Sequence, residues 1–214
     1  MCWNADISIN TFVFACFALL FILFSNTFTK YKSTMFENPL YYLLFFEIAS
    51  VQLIEFFLWR NLKNKYLNQK LSSFILLLIV LHQLTLILIV PNKIFKYILL
   101  FLFILFIIIY QYLYSGYKNY TTVAKNGHLL WEVFNKNTTL LFIVGLLFYI
   151  IPVLLIGNVT LYLIMFPVFI LSFYYYYKYR TFGTMWCWVT NFALLYFIID
   201  ILLIQPYYEY NALC

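Results

Sequence analysis

The sequence predicts an all-α membrane protein, a polytopic bundle of about seven transmembrane helices. Of its 214 residues, 66% are hydrophobic and only 9% are charged, whereas soluble domains are about 25% charged. The apolar residues form repeated runs of about 20, the length that crosses a hydrocarbon core of about 30 Å. No polar stretch between these runs is long enough to build a separate soluble core. We therefore expect a single transmembrane domain over residues 1–214.

Seven spans follow one another along the chain, separated by turns or basic loops. The N-terminus lacks a basic region and a small-residue cleavage site, so no cleaved signal peptide is expected. The third span ends at Pro91, and the turn Gly157-Asn158 separates the fifth from the sixth. The sixth leads into the run YYYYKYR, which is typical of a membrane interface. The predicted spans are residues 10–28, 39–60, 71–90, 94–114, 138–156, 159–177 and 184–204.

The second span carries Glu47, Gln52 and Glu55 inside an otherwise apolar run. An acidic side chain near the membrane centre costs about 2.5–3.5 kcal/mol on insertion scales, so these groups should face protein or water. In a helix, Gln52, Glu55 and Trp59 lie on one face. Two interpretations remain open: a functional polar site, or protonated and hydrogen-bonded groups that hold the bundle together.

Further polar residues occur in three later segments. His82 and Gln83 lie in the middle of the third span, and Asn191 lies one turn inside the seventh, after Trp186. The loop over residues 115–137 contains HLLWEVF, which predicts a short interfacial helix with His128 and Trp131 on one face. Such a helix is interpreted either as a membrane anchor or as part of a site.

The distribution of basic residues favours a cytoplasmic N-terminus. With that orientation, nine of the 13 Lys and Arg residues lie in cytoplasmic loops, in agreement with the positive-inside rule. One pattern favours the opposite topology, because Asn119 and Asn137 begin N-x-T sequons that are glycosylated only in a lumenal loop.

Several classes of function are disfavoured by the composition. The four cysteines show no metal-binding spacing and there are only two histidines, so no metal and no cofactor is expected. The net charge of +6 is spread thinly over loops, which argues against a nucleic-acid partner. The seventh span has no lysine for a retinal Schiff base, and the sequence lacks GxSxG, HExxH, P-loop and GxGxxG motifs.

Four sequence blocks carry a family resemblance: MCWN, QLIEFFLW, NGHLLWEVF and GTMWCWVTN. Together they resemble the uncharacterised multi-pass membrane proteins of nucleocytoplasmic large DNA viruses, the giant viruses of algae and amoebae. The resemblance implies a host or virion membrane and brings no assigned activity. The residue usage agrees equally with an organelle-encoded respiratory subunit. The residues emphasised by the blocks are Cys2, Trp3, Asn4, Gln52, Glu55, Trp59, His128, Trp131, Trp186, Cys187, Trp188 and Asn191.

These observations lead to one functional expectation and two alternatives. We expect a transporter-like or ligand-binding protein with a polar cavity on the cytoplasmic side, open to a small solute, a proton or a lipid. The alternatives are an intramembrane enzyme acting on lipid, with Glu55 and His128 as acid and base, and a structural component of a virion or respiratory assembly. Catalytic residues and oligomeric state stay open. The expected cavity residues are Glu55, Gln52, Trp59, His128, Trp131, Trp186, Asn191, Glu47 and His82.

Overall fold

The computed structural model describes residues 4–114, 116, 118–131 and 139–213. For residues 139, 140, 182, 184–189 and 213, only the backbone is described. These parts of the chain are almost entirely helical, which confirms the all-α fold class. The helices are α1 (Ala5–Phe28), α2 (Leu40–Arg60), α3 (Lys65–Ile89), α4 (Lys93–Leu113), α5 (Thr139–Ile156), α6 (Val159–Tyr176), α7 (Phe182–Ile199) and α8 (Gln205–Leu213).

Asparagine side chains start four of these helices. Asn4, Asn64, Asn92 and Asn158 each accept hydrogen bonds from backbone amides in the first turn, at 2.8–3.2 Å. Asparagine is among the best N-cap residues because its side-chain oxygen satisfies amides that have no partner inside the helix. The short Asn-containing loops therefore fix where α1, α3, α4 and α6 begin.

In the described parts of the chain, six helical segments are long and apolar enough to cross a bilayer, so the fold is that of a multi-pass membrane protein. Each predicted span lies mostly within a helix. The fifth, α5, has 18 residues, and its apolar part, Leu141–Ile156, is shorter than the other six segments. At the C-terminal end, α7 continues through a π-helical turn, Asp200–Ile204, directly into α8.

The helices pack into two neighbouring groups. α2 packs along both α1 and α3, and α7 closes the first group by contacting α1, α2 and α6. Aromatic rings fill this group, where Phe36, Phe45 and Phe197 have centroids 5.2–6.2 Å apart. The second group consists of α3, α4 and α5. α4 is the least buried of the six long segments, which places it at the edge of the bundle.

A small β-hairpin replaces the interfacial helix predicted for HLLWEVF, so that prediction was wrong for its first four residues. Strand β1 (Thr121–Val123) pairs antiparallel with β2 (Leu129–Trp131), with Thr121 opposite Trp131. The turn contains Gly127 with φ +80°, a left-handed conformation that glycine adopts without strain. Pairing with β1 provides hydrogen-bond partners for the backbone of Leu129–Trp131. The remainder, residues 132–134, lies outside the described residues.

The hairpin marks one end of the bundle, which we call the hairpin end. Asn126 donates a hydrogen bond to Thr181 at 2.9 Å, just before α7 begins. The start of α1 meets the end of α2 at this end, where Asp6 and Arg60 are 3.7 Å apart. At the opposite end, the far end, Lys30 contacts Glu209 of α8. Both ends are thus defined by contacts between segments that are far apart in the sequence.

Candidate functional site

A cavity of about 140 Å³ lies between α2, α3, α4 and α5 and extends towards the hairpin end. Its walls are mostly apolar and include Ile48 and Val51 of α2 and Ile107 of α4. Three polar side chains from α2 and α3 line it as well: Glu47, His82 and Gln83. All three are buried. The site is therefore an apolar space with a small polar region in its wall.

Glu47 and His82 form the centre of that polar region. The Glu47 Oε2 and His82 Nδ1 atoms are 3.8 Å apart, which is about 1 Å longer than a charge-assisted hydrogen bond. The other carboxyl oxygen, Oε1, accepts a hydrogen bond from Thr85 at 3.0 Å. Among the described residues, Glu47 Oε2 and the two ring nitrogens of His82 have no partner within strict hydrogen-bond geometry, although the Leu44 backbone lies close enough to interact with the His82 ring. We refer to these two residues as the Glu47–His82 pair.

Two contacts join α5 to α3 beside the Glu47–His82 pair. Gln83 Nε2 donates a hydrogen bond to the Gly145 carbonyl oxygen at 2.8 Å, which joins α3 to α5. The Tyr149 ring lies against the His82 ring, with centroids 5.5 Å apart. Gly145 lines the cavity without a side chain, and a Cβ atom there would meet Phe106 at an ordinary distance of 3.7 Å. The small residue thus leaves space between α4 and α5.

The remaining polar residues of α2 lie closer to the hairpin end and do not line this cavity. Glu55 is fully buried, and Gln52 accepts a hydrogen bond from Thr11 of α1 at 3.0 Å. Trp59 is half-buried beside Leu58 in an apolar cluster that also includes Leu129 and Trp131. The end of α2 and the hairpin, two of the sequence blocks that carry the family resemblance, therefore belong to one apolar cluster.

The other predicted site residues are divided between the hairpin and α7. Trp131 is buried and lines the cavity. His128 is buried in the hairpin turn, where its ring packs edge-on against Tyr176 at 5.4 Å. Asn191 is buried in α7 and is not part of the cavity lining. Trp186 belongs to α7 by its backbone, but its side chain lies outside the described residues. The structure thus brings Glu47, His82 and Trp131 of the predicted set to one space.

Burial also changes the acid–base behaviour of His128, which lies outside the membrane-spanning helices. Removing the imidazole from water disfavours its charged form, and this lowers the pKa of His128 below its usual value. The hairpin therefore favours a neutral ring at this position.

At the far end, hydrogen bonds to Glu209 raise the pKa of the Lys30 ammonium group, so that lysine stays charged.

Sequence reasoning missed the residues that attach the hairpin to the bundle. Asn68 of α3 donates to the Thr121 carbonyl oxygen at 2.8 Å and accepts from the Thr121 amide at 2.9 Å. Ser72, one turn further, lies 2.7 Å from the Thr121 hydroxyl. These residues are buried. We refer to Asn68, Ser72 and Thr121 as the hairpin anchor.

The signal for the hairpin itself was present in the sequence. Asn-Gly at residues 126–127, placed between TTV and LLW, is the dipeptide most typical of a tight hairpin turn.

Comparison of the chain with family models, curated proteins and solved structures gives no match. The resemblance to viral membrane proteins therefore stays a prediction, and the chemistry of the site rests on its geometry.

Proposed function

We propose that this protein binds a lipid-soluble small molecule in the cavity between α2, α3, α4 and α5. The observation that carries the proposal is the Glu47–His82 pair, a buried pair with unmet hydrogen-bonding atoms that lines an otherwise apolar space. This refines the sequence expectation of a transporter-like or ligand-binding protein. The mostly apolar walls favour a ligand that arrives from the bilayer over a polar solute.

The size of the cavity supports a compact ligand. An engineered apolar protein cavity of about 150 Å³ binds benzene, and the volume here is about 140 Å³. The space therefore suits a single ring or a short branched chain. Ligand sites generally combine apolar walls with a few well-placed polar groups that fix orientation, and this cavity has that composition.

The energetics of the pair give a second argument. A buried hydrogen-bonding group without a partner costs about 1–3 kcal/mol. Glu47 Oε2 is in that situation within the described chain, and the His82 ring has a loose interaction with the Leu44 backbone outside strict hydrogen-bond geometry. A ligand with a matching polar group recovers part of this cost, whereas a purely structural pair would be expected to close to direct hydrogen-bond distance. The pair is therefore better suited to bind than to hold helices together.

The first prediction tests occupancy with a probe. We expect 4-fluorotoluene to give a bound ¹⁹F signal with the wild-type protein in lipid nanodiscs, distinct from the signal of probe dissolved in lipid. Gly145→Leu and Ile79→Phe, which fill the cavity from α5 and α3, should each abolish it. Ser73→Leu places a larger, apolar side chain on the exposed side of α3, away from the cavity, and is the control.

The outcomes separate the functions under consideration. A bound signal that persists in both filled variants, while both stay folded by circular dichroism, contradicts binding in this cavity. No bound signal in the wild type contradicts the proposal directly. If the probe binds, liposome flux measurements with the same protein distinguish a carrier, which moves its ligand across the bilayer, from a binding protein that does not.

A further inference from the structure

The chemical class of the ligand follows from the same cavity, so this inference rests on the proposed function. Six of the residues that line the cavity are aromatic: Phe106, Tyr110, Trp131, Phe142, Tyr149 and Phe169. Aromatic side chains favour edge-on or offset contacts with another flat ring. Together with the ring-sized volume, this favours an aromatic ligand over an aliphatic one.

The charge of the site favours a neutral ligand. Apart from tyrosines, Glu47 and His82 are the only titratable residues among the described lining residues. Isolated charges are costly in a low-dielectric interior. One proton shared between the two groups avoids an isolated charge, because the pair has no net charge whether the proton resides on the carboxyl or on the imidazole. An ionic ligand then finds no opposite net charge in the cavity.

The spacing of the pair selects the polar group of the ligand. The separation of 3.8 Å between Glu47 Oε2 and His82 Nδ1 is too long for a direct hydrogen bond. A hydroxyl oxygen about 2.8 Å from each atom bridges them from the side, once a small shift of either side chain opens both atoms, which are closed to a water-sized probe, to the cavity. A hydroxyl also donates and accepts at once, so it matches the pair in either position of the shared proton. A carbonyl oxygen only accepts, and a methyl group does neither.

We propose that the cavity binds the ring of a neutral, lipid-soluble phenol, whose hydroxyl group bridges Glu47 and His82. The ring then lies among the aromatic side chains and Gly145 provides room beside it. A bridging water molecule would occupy the same position, and it is the main competing occupant of the polar region.

The second prediction compares probes of the same size that differ in one group. We expect 4-fluorophenol to bind at least tenfold more tightly than 4-fluorotoluene, with both affinities referred to probe concentration in the bilayer. 4-Fluorobenzoate and 4-fluorobenzylammonium should give no bound ¹⁹F signal. Glu47→Leu should reduce the phenol-to-toluene ratio to about one while 4-fluorotoluene still binds, and His82→Phe should also lower it.

Binding of 4-fluorotoluene shows in each variant that the cavity is still formed, so a loss of phenol selectivity is separated from misfolding. Glu37→Gln, an exposed glutamate in the turn Thr34–Glu37, is the matched control and should keep the wild-type ratio. Equal affinity for both neutral probes in the wild type overturns the phenol inference and leaves the proposed function standing. Preferential binding of the benzylammonium probe overturns it too, because it indicates an ionised Glu47. If neither neutral probe binds, the proposed function fails as well.

Discussion

At the residue scale, Asn68 attaches the hairpin to α3, a role that no sequence pattern suggested. Its amide group makes two hydrogen bonds to the backbone of Thr121, one as donor and one as acceptor. Both contacts are buried, so water does not replace them while the hairpin stays in place. The Asn68 side chain therefore satisfies the backbone N–H and C=O groups of Thr121, the first residue of β1.

The third prediction follows from this geometry. We expect Asn68→Ala to lower the free energy of unfolding by about 2–3 kcal/mol, because two buried hydrogen bonds are lost and their backbone partners are left unmet. Hydrogen exchange should rise at residues 121–131. Gln69→Ala, a half-exposed neighbour on the same helix turn, is the control and should change neither measurement. Unchanged exchange in the Asn68 variant would refute the anchoring role.

The fourth prediction concerns pH and His128. Its pKa in the folded state is below the unfolded value of about 6.5, so folding disfavours the protonated ring. The stabilisation from the neutral ring is present above the unfolded pKa and is lost as the pH falls through the folded pKa. We expect thermal stability to drop between pH 7.5 and pH 5, and His128→Gln to make this drop smaller. An identical pH profile for both proteins would contradict the assignment.

At this scale, the sequence showed which polar residues interrupt the apolar runs, but it did not show their hydrogen-bond partners. Glu47, His82 and Gln83 were recognised as mid-membrane residues because they interrupt apolar runs, and all three line the cavity. The role of Thr85 as the hydrogen-bond donor to Glu47 depends on how α2 and α3 are rotated against each other. That rotation is set by side-chain packing, which no local pattern encodes.

At the scale of elements, the C-terminal helix α8 is attached to the loop after α1. Glu209 is 2.7 Å from Lys30 and 2.6 Å from the Tyr31 hydroxyl. Gln205 adds a second attachment, because its amide group both accepts from and donates to the backbone of Lys32. A short set of polar contacts thus joins α8 to the loop after α1 at the far end of the bundle.

The fifth prediction addresses this attachment. Glu209→Gln removes the negative charge that pairs with Lys30, so we expect faster hydrogen exchange in residues 205–213. Exchange in α2 and α3 should stay unchanged, since neither helix contributes to these contacts. Glu37→Gln again serves as the control glutamate. If residues 205–213 exchange at the wild-type rate, the ion pair does not hold α8.

The hairpin shows where element-level prediction failed and why. Helical periodicity placed His128 and Trp131 on one face, and the Asn-Gly turn signal beside them was not considered. The strands are only three residues long, so alternation over them is too short to be recognised as a strand pattern. Their stability depends on Asn68, which lies 53 residues before Thr121, and a contact over that distance cannot be inferred from local sequence.

At the scale of the whole molecule, composition and apolar run lengths were sufficient to predict the fold class. The same information does not specify which helices touch. α7 contacts α1 and α2 although more than 100 residues separate them, and the cavity is lined by residues of α2, α3, α4 and α5 that come from distant parts of the sequence. The expected polar cavity built around Glu55, His128 and Asn191 remains a prediction, since the cavity found here is centred on other residues.

The two attachments of the hairpin have a consequence for how the chain is assembled during synthesis. Asn68 has already been made when Thr121 emerges from the ribosome, so the first attachment can form at once. Thr181, which accepts a hydrogen bond from Asn126, is made 55 residues after Asn126. The hairpin is therefore held on one side only while the fifth and sixth helices enter the membrane. The last long helix completes the bundle and secures the hairpin in the same step.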